Sequence, residues 1–222
     1  MSTGLLIVTA PNASFKATNR FLLYARDWEY GDSPTWDNFH LVTSRTNDPR
    51  FADSRRNELP ATKPGALTAE NFTNEWAGAS VQDVEKWVLS YDDTGIDGND
   101  ISLLLILDAQ GLQDRTCIVA ERHVEWDYDA DPPAPIPKAD REKQHEFNKY
   151  RAPWDETYIV FANLNIGNMD FEDYADDEGE EGEEGPDAEG WWRFKGLGSD
   201  LSEEQIQKRE EVVRRFEEEG MA

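Results

Sequence analysis

The sequence predicts an α+β fold: a single mixed β-sheet of about five strands with helices mainly on one face. Three observations predict it. Short continuous apolar runs at residues 4–9, 101–107 and 115–122 have strand length and the look of central strands. Segments with helical spacing, at 81–90 and from Ser202 to about 219, stand apart from them, each opened by a capping signal. With 38% hydrophobic and 11% aromatic residues, a chain of 222 residues buries a real core without disulfides.

The first strand, 4–9, ends at Pro11. Phe15, Leu22, Leu23 and Arg26 then fall at helical spacings behind Asn12 or Ser14 as a cap, which predicts a helix. Ser33-Pro34 reads as a cap with proline at the first helical position, yet residues 39–43 fit a strand equally well. Residues 45–66 form a polar loop with Pro49, Pro60 and Pro64. Its local basic cluster, Arg45, Arg50, Arg55 and Arg56, is expected to pair with the protein's own carboxylates. Residues 68–77 read as a short helix closed by Gly78. Ser80 and Asp83 have capping-box spacing, and Val81, Val84, Trp87 and Val88 share the face of the helix that follows.

The loop 92–100 resembles a calcium loop, but Gly95 and Leu104 occupy places that need a carboxylate, so it reads as a turn. Residues 127–139 carry Pro132, Pro133, Pro135 and Pro137 and read as an extended linker or surface crossing. Residues 139–149 are expected to be a charged, exposed helix. Residues 157–163 are expected to be a strand, with Tyr158, Val160 and Ala162 alternating against Ile159 and Phe161. Residues 170–189 hold twelve acidic residues and no basic one, and 176–189 form a low-complexity insert expected to be disordered. Trp191 to Phe194 would return to the sheet as a short strand. Ser202 with Gln205 then caps a last helix with Ile206, Val213 and Phe216 on its apolar face. The layout is one α+β domain over 1–175, the acidic insert over 176–189, and a returning strand with the terminal helix over 190–222.

The formal net charge of −25 sets the functional classes. Such a chain repels nucleic-acid backbones and anionic membranes, because holding phosphates needs clustered Lys and Arg. A basic protein is the partner it suits, and mimicry of nucleic acid is a further option. No stretch has the basic start and apolar core of a signal peptide or the length of a membrane span, so a cytoplasmic location is expected. The single cysteine, Cys117, lies in an apolar run, which fits a buried thiol and a reducing compartment.

No phosphate loop, dinucleotide fingerprint or nucleophile elbow is present, and no cofactor is implied. Acid–base chemistry needs one or two positioned carboxylates, and Asp108 and Asp170 are the candidates because each adjoins an apolar segment. His123, Glu125 and Asp127 alternate, so on a strand they would share a face. With His145 they form the alternative of a mixed imidazole and carboxylate metal site.

One segment carries a resemblance: Asn163-Leu164-Asn165-Ile166-Gly167-Asn168-Met169-Asp170-Phe171-Glu172-Asp173-Tyr174-Ala175. It resembles the signature of an uncharacterised family of small microbial domains, N-x-N-x-x-N-M-D-F-x-x-[FY]-A. In that family a strand leads into an Asn-Met-Asp-Phe turn and a short acidic helix, and no activity is established. The resemblance implies only a compact α+β domain. Asn163, Asn165 and Asn168, with the following Trp191 and Trp192, are the candidate binding residues. The residue types also suit a structural role, with Asn168 capping a helix from Met169 and with Phe171 and Tyr174 packing inward. Two functions follow as expectations. One is a non-enzymatic module that binds a basic partner through its acidic surface, with exposed Trp as anchors. The other is a metal-independent isomerase, cyclase or hydrolase acting on a small organic molecule in an aromatic pocket.

Overall fold

The computed structural model describes residues 3–31, 36–90, 101–140, 142, 144–175, 185–198 and 201–222. The cap at Ser33-Pro34, the turn at 92–100 and most of the acidic insert lie outside them. Strands β1 (Gly4–Val8), β2 (Phe39–Leu41), β3 (Leu103–Leu107), β4 (Thr116–Arg122) and β7 (Phe147–Pro153) form one mixed sheet in the order β2-β1-β3-β4-β7. β1 runs parallel to β2 and β3, whereas β3, β4 and β7 are antiparallel. A two-residue ladder between β5 (Trp126–Asp127) and β6 (Ala134–Pro135) makes a separate hairpin out of the proline-rich stretch. The fold is therefore α+β.

Both faces of the sheet are covered, which is why β1 and β3 are continuous apolar runs. On one face Leu6, Val8, Leu105, Val119 and Tyr150 meet α1 (Phe15–Tyr24), α4 (Thr157–Asn165) and α5 (Glu203–Glu218). On the other, Leu5, Ile7, Leu104, Ile118 and Phe147 meet α2 (Val81–Leu89) together with Phe51 and Leu59 from the long loop and Trp76 from the turns that follow it. Ser14, Ser80 and Ser202 cap α1, α2 and α5, and the last two close full capping boxes. The short α3 (Ala109–Asp114) turns the chain from β3 into β4 and ends with Arg115 in the left-handed region at φ 56°. Cys117 is buried in the core, where burial raises its thiol pKa.

Four expectations are overturned. Residues 157–163 form a helix, not a strand: Thr157, Val160, Phe161 and Leu164 are buried at spacings of three and four. The run is apolar nearly all round, so alternation and helical spacing coincide in it. Residues 147–149 belong to β7, and the expected helix over 139–149 is absent among the described residues. β7 is hidden in sequence because its alternation includes Asn148, Lys149 and Arg151. Asn148 and Lys149 are nevertheless buried, Lys149 through an ion pair with Glu85 at 2.6 Å. Residues 68–77 are a succession of turns, in which Asn71 bonds the backbone of Ala66 and Thr68, and Asn74 accepts the Trp76 N–H while donating to the Val8 carbonyl of β1. Trp191 and Phe194 make isolated bridges to Lys149 and Ala175, not a continuous strand.

The arginine-rich loop behaves as expected for two of its members, since Arg50 pairs with Asp48 and Arg55 with Glu58. Arg56 goes further. It is 1% exposed, and its guanidinium donates to the carbonyls of Phe51 at 3.1 Å and Leu103 at 2.7 Å, tying the loop to β3. Asn19 does the same on the opposite face. Its side chain holds Leu67 and Gly65 of the loop and the carbonyl of Met221, so α1, the loop and the C-terminal residues share one buried amide.

Candidate functional site

The signature segment begins at the end of α4 and folds back over β4 and β7. Asn168 does not cap a helix. Its backbone N–H and side-chain amide both return to Asn163, at 2.9 and 3.0 Å, and close the turn after α4. The cap is Asp170, in a reciprocal box with Asp173 that opens a 3₁₀ turn at Phe171–Tyr174. An exposed carboxylate engaged in a cap is a local structural device, so its place in the fold explains Asp170 without chemistry. Phe171 and Tyr174 enter the core, with Phe171 4.2 Å from Tyr150 between ring centroids. Phe194 and Trp192 complete an aromatic cluster around them.

Beneath this cluster lies Glu121, which sequence reasoning passed over. It stands on β4 opposite Leu103 and Asn148, on the face that carries Tyr150. Burial pushes its pKa up to about 7, and the nearby carboxylates of Glu172 and Asp170 add to the shift. The hydroxyls of Tyr150 and Tyr174 are buried, and that of Tyr150 has no hydrogen-bond partner among the described residues. Burial raises the pKa of both phenols, with Asn163 opposing the shift at Tyr174. The signal that could have found Glu121 is a carboxylate directly after the apolar run of β4, in register with the core residues Cys117 and Val119.

The other candidate residues do not converge. Asp108, at the end of β3, caps α3 by accepting the Gly111 N–H at 2.7 Å and binds Arg151 through both oxygens at 3.0 and 2.5 Å. Burial acts to raise its pKa, but Arg151 and the Gly111 amide outweigh burial and hold it below the usual carboxylate value. Trp191 and Trp192 point to opposite sides. Trp191 lies under Lys149 and Arg151, at 5.7 and 5.6 Å from its ring. Trp192 donates its indole N–H to Asn148 at 3.0 Å beside Phe171. Asn165 is half-buried at the end of α4.

His123 and Glu125 do meet, at 3.2 Å, and the His123 ring lies tilted against that of His145 with centroids 4.8 Å apart. Asp127 turns away to accept the N–H groups of Asp129 and Ala130, and Glu125 also holds the N–H of Glu142. Among the described residues no group of three or more His, Cys, Asp or Glu is placed to hold a metal ion. No described helix is long and apolar enough to cross a membrane.

The signature, four of the five strands of the sheet and the first part of the acidic stretch fall within one family match. The family described as a domain of unknown function, DUF6924, matches residues 29–183. The chain belongs to this family. The match includes the whole signature at 163–175, together with β2, β3, β4 and β7. No curated protein and no solved structure matches the chain.

The surface has its own geometry. Arg26 pairs with Asp37, Arg151 with Asp108, Lys149 with Glu85, Arg122 with Glu146, Arg209 with Asp155 and Arg20 with Glu217. Arg56 is buried on carbonyls, and Lys208 sits over the Trp36 ring at 4.8 Å. Much of the positive charge is thus engaged within the fold, while Asp and Glu outnumber Lys and Arg by 47 to 22.

Proposed function

We propose that this protein is a cytoplasmic binding module for a basic protein partner. The observation that carries the reading is the internal use of its cations. Paired and buried arginines and lysines neutralise carboxylates of the fold, and the excess negative charge is left facing solvent. Such a surface speeds encounter with a basic partner and discourages nucleic acid and anionic membranes. The test is capture from the protein's own cell lysate on the immobilised full chain, at about 50 mM and about 500 mM salt, where screening differs severalfold. A basic protein retained at low salt, released at high salt and displaced by polylysine is the expected result. Retention of no basic protein overturns the reading.

A second reading is favoured by Glu121: proton transfer on a small organic substrate by a carboxyl whose pKa of about 7 suits a general acid or base. It rests on the aromatic cluster under the signature. Screening a library of carbonyl compounds for turnover tests it, with activity expected to vanish in Glu121→Gln while the fold is retained. Activity that survives in Glu121→Gln sinks the second reading.

A further inference from the structure

We infer that the β5–β6 hairpin is the docking arm for that partner, and that it recognises an arginine-rich segment of a protein; the inference rests on the basic-partner reading above. Four features of the hairpin point there. Among the eight tryptophans, Trp126 alone is exposed, at 46%, and Tyr128 beside it is 79% exposed. Large rings left in water on a protein with an ample core mark a contact surface. The rings alternate with acids along the chain, Glu125-Trp126-Asp127-Tyr128-Asp129-Ala130-Asp131, and no Lys or Arg occurs between 123 and 137.

The acids divide their work. Glu125 and Asp127 fix the arm, through the N–H of Glu142 and through the turn at Asp129 and Ala130. Asp129 and Asp131 are exposed and make no ion pair with the described residues. The arm is also stiff. Trp126 pairs with Pro135 and Asp127 with Ala134, Ile136 donates to the carbonyl of Glu125 at 2.8 Å, and Pro132 and Pro133 limit the backbone between the strands. A preformed arm loses little conformational entropy on binding.

Aromatic faces flanked by free carboxylates suit a guanidinium better than an ammonium. Arginine stacks flat on a ring while its N–H fork reaches a carboxylate, whereas lysine offers a strongly hydrated point charge. The arm therefore selects arginine over lysine at equal charge.

The experiment is titration of the full-length protein with deca-arginine and deca-lysine peptides, followed by calorimetry at low salt. Deca-arginine is expected to bind at least about fivefold more tightly than deca-lysine. Joint replacement Trp126→Ala and Tyr128→Ala is expected to weaken deca-arginine at least about tenfold and to bring the two peptides level. Asp129→Asn with Asp131→Asn is expected to weaken both peptides about threefold. Tyr30→Ala, which removes a ring 81% exposed elsewhere on the surface, is expected to change nothing.

If the wild-type chain binds neither peptide, the basic-partner reading itself falls. If it binds and the Trp126 and Tyr128 variant binds equally well, the arm is not the docking surface and only this inference falls. If the wild-type chain is a dimer that the same variant converts to a monomer, the occupant is a second copy of the chain and the inference is overturned.

Discussion

The signature segment at 163–175 and the hairpin at 126–135 are both excursions from the sheet, and they treat their aromatic rings in opposite ways. The first drives Phe171 and Tyr174 into the core and engages its polar residues in a turn and a cap. The second holds Trp126 and Tyr128 in solvent on a short, proline-stiffened ladder. The difference teaches that a recognisable motif and a binding surface need not coincide. The motif encodes how a loop closes over β4 and β7, which is a folding requirement. The hairpin has no such duty, so its exposed rings need another explanation.

The comparison breaks first at Phe171. Replacement by Ala removes a ring in contact with Tyr150, with an expected loss of about 3–5 kcal/mol in urea denaturation. A loss below about 1 kcal/mol would mean that the signature does not anchor the core.

Glu121 sharpens the same side of the contrast. The folded protein keeps its proton to about pH 7, while the unfolded chain releases it near 4.5. The unfolded state therefore binds fewer protons between these values. The contribution of Glu121 to stability is greatest below pH 4.5, declines as pH rises toward 7, and stays at the lower level above. Glu121→Gln is expected to flatten that decline and to stabilise the protein at pH 8 by on the order of 2 kcal/mol. Melting curves across pH 4 to about 8 check it, and an unchanged slope in the variant would show that Glu121 does not titrate in this window.

Smaller effects follow at the edges. Asp170→Ala removes the cap of the 3₁₀ turn and should cost about 1 kcal/mol without altering partner binding. Joint replacement of Trp126 and Tyr128 by Ala should leave stability within about 0.5 kcal/mol, since neither ring belongs to the core. Should chemical denaturation show a larger loss there, the hairpin would be a structural element after all and the contrast would collapse.

What the sequence shows and hides follows from range. Ser14, Ser80 and Ser202 announce their helices because a cap is a local bond three residues long. β1, β3 and β4 are legible because strands buried on both faces need unbroken apolar runs. β7 is not, because Lys149 is made fit for burial by Glu85, sixty-four residues away. α4 is misread for the opposite reason, an excess of apolar residues that satisfies two periodicities. The candidate site is less legible still. Asp108 stands out beside its strand, but its partner Arg151 is supplied by β7. Glu121 owes its raised pKa first to burial, and then to Glu172 and Asp170, all of which arise only when the chain folds back over β4.

Ala175 bridges Phe194, Lys195 donates to the carbonyl of Tyr174, and Gly190 and Trp192 bond both sides of Lys149. The chain that leaves the core at Ala175 is thus gripped again from Gly190 onward, so both ends of the excursion are riveted to the sheet. Between fixed ends, each doubling of a connector's length costs only about 0.6 kcal/mol. The acidic run can therefore be shortened, lengthened or replaced by a reporter domain while the sheet on either side keeps its register, which makes it the natural socket for an inserted label.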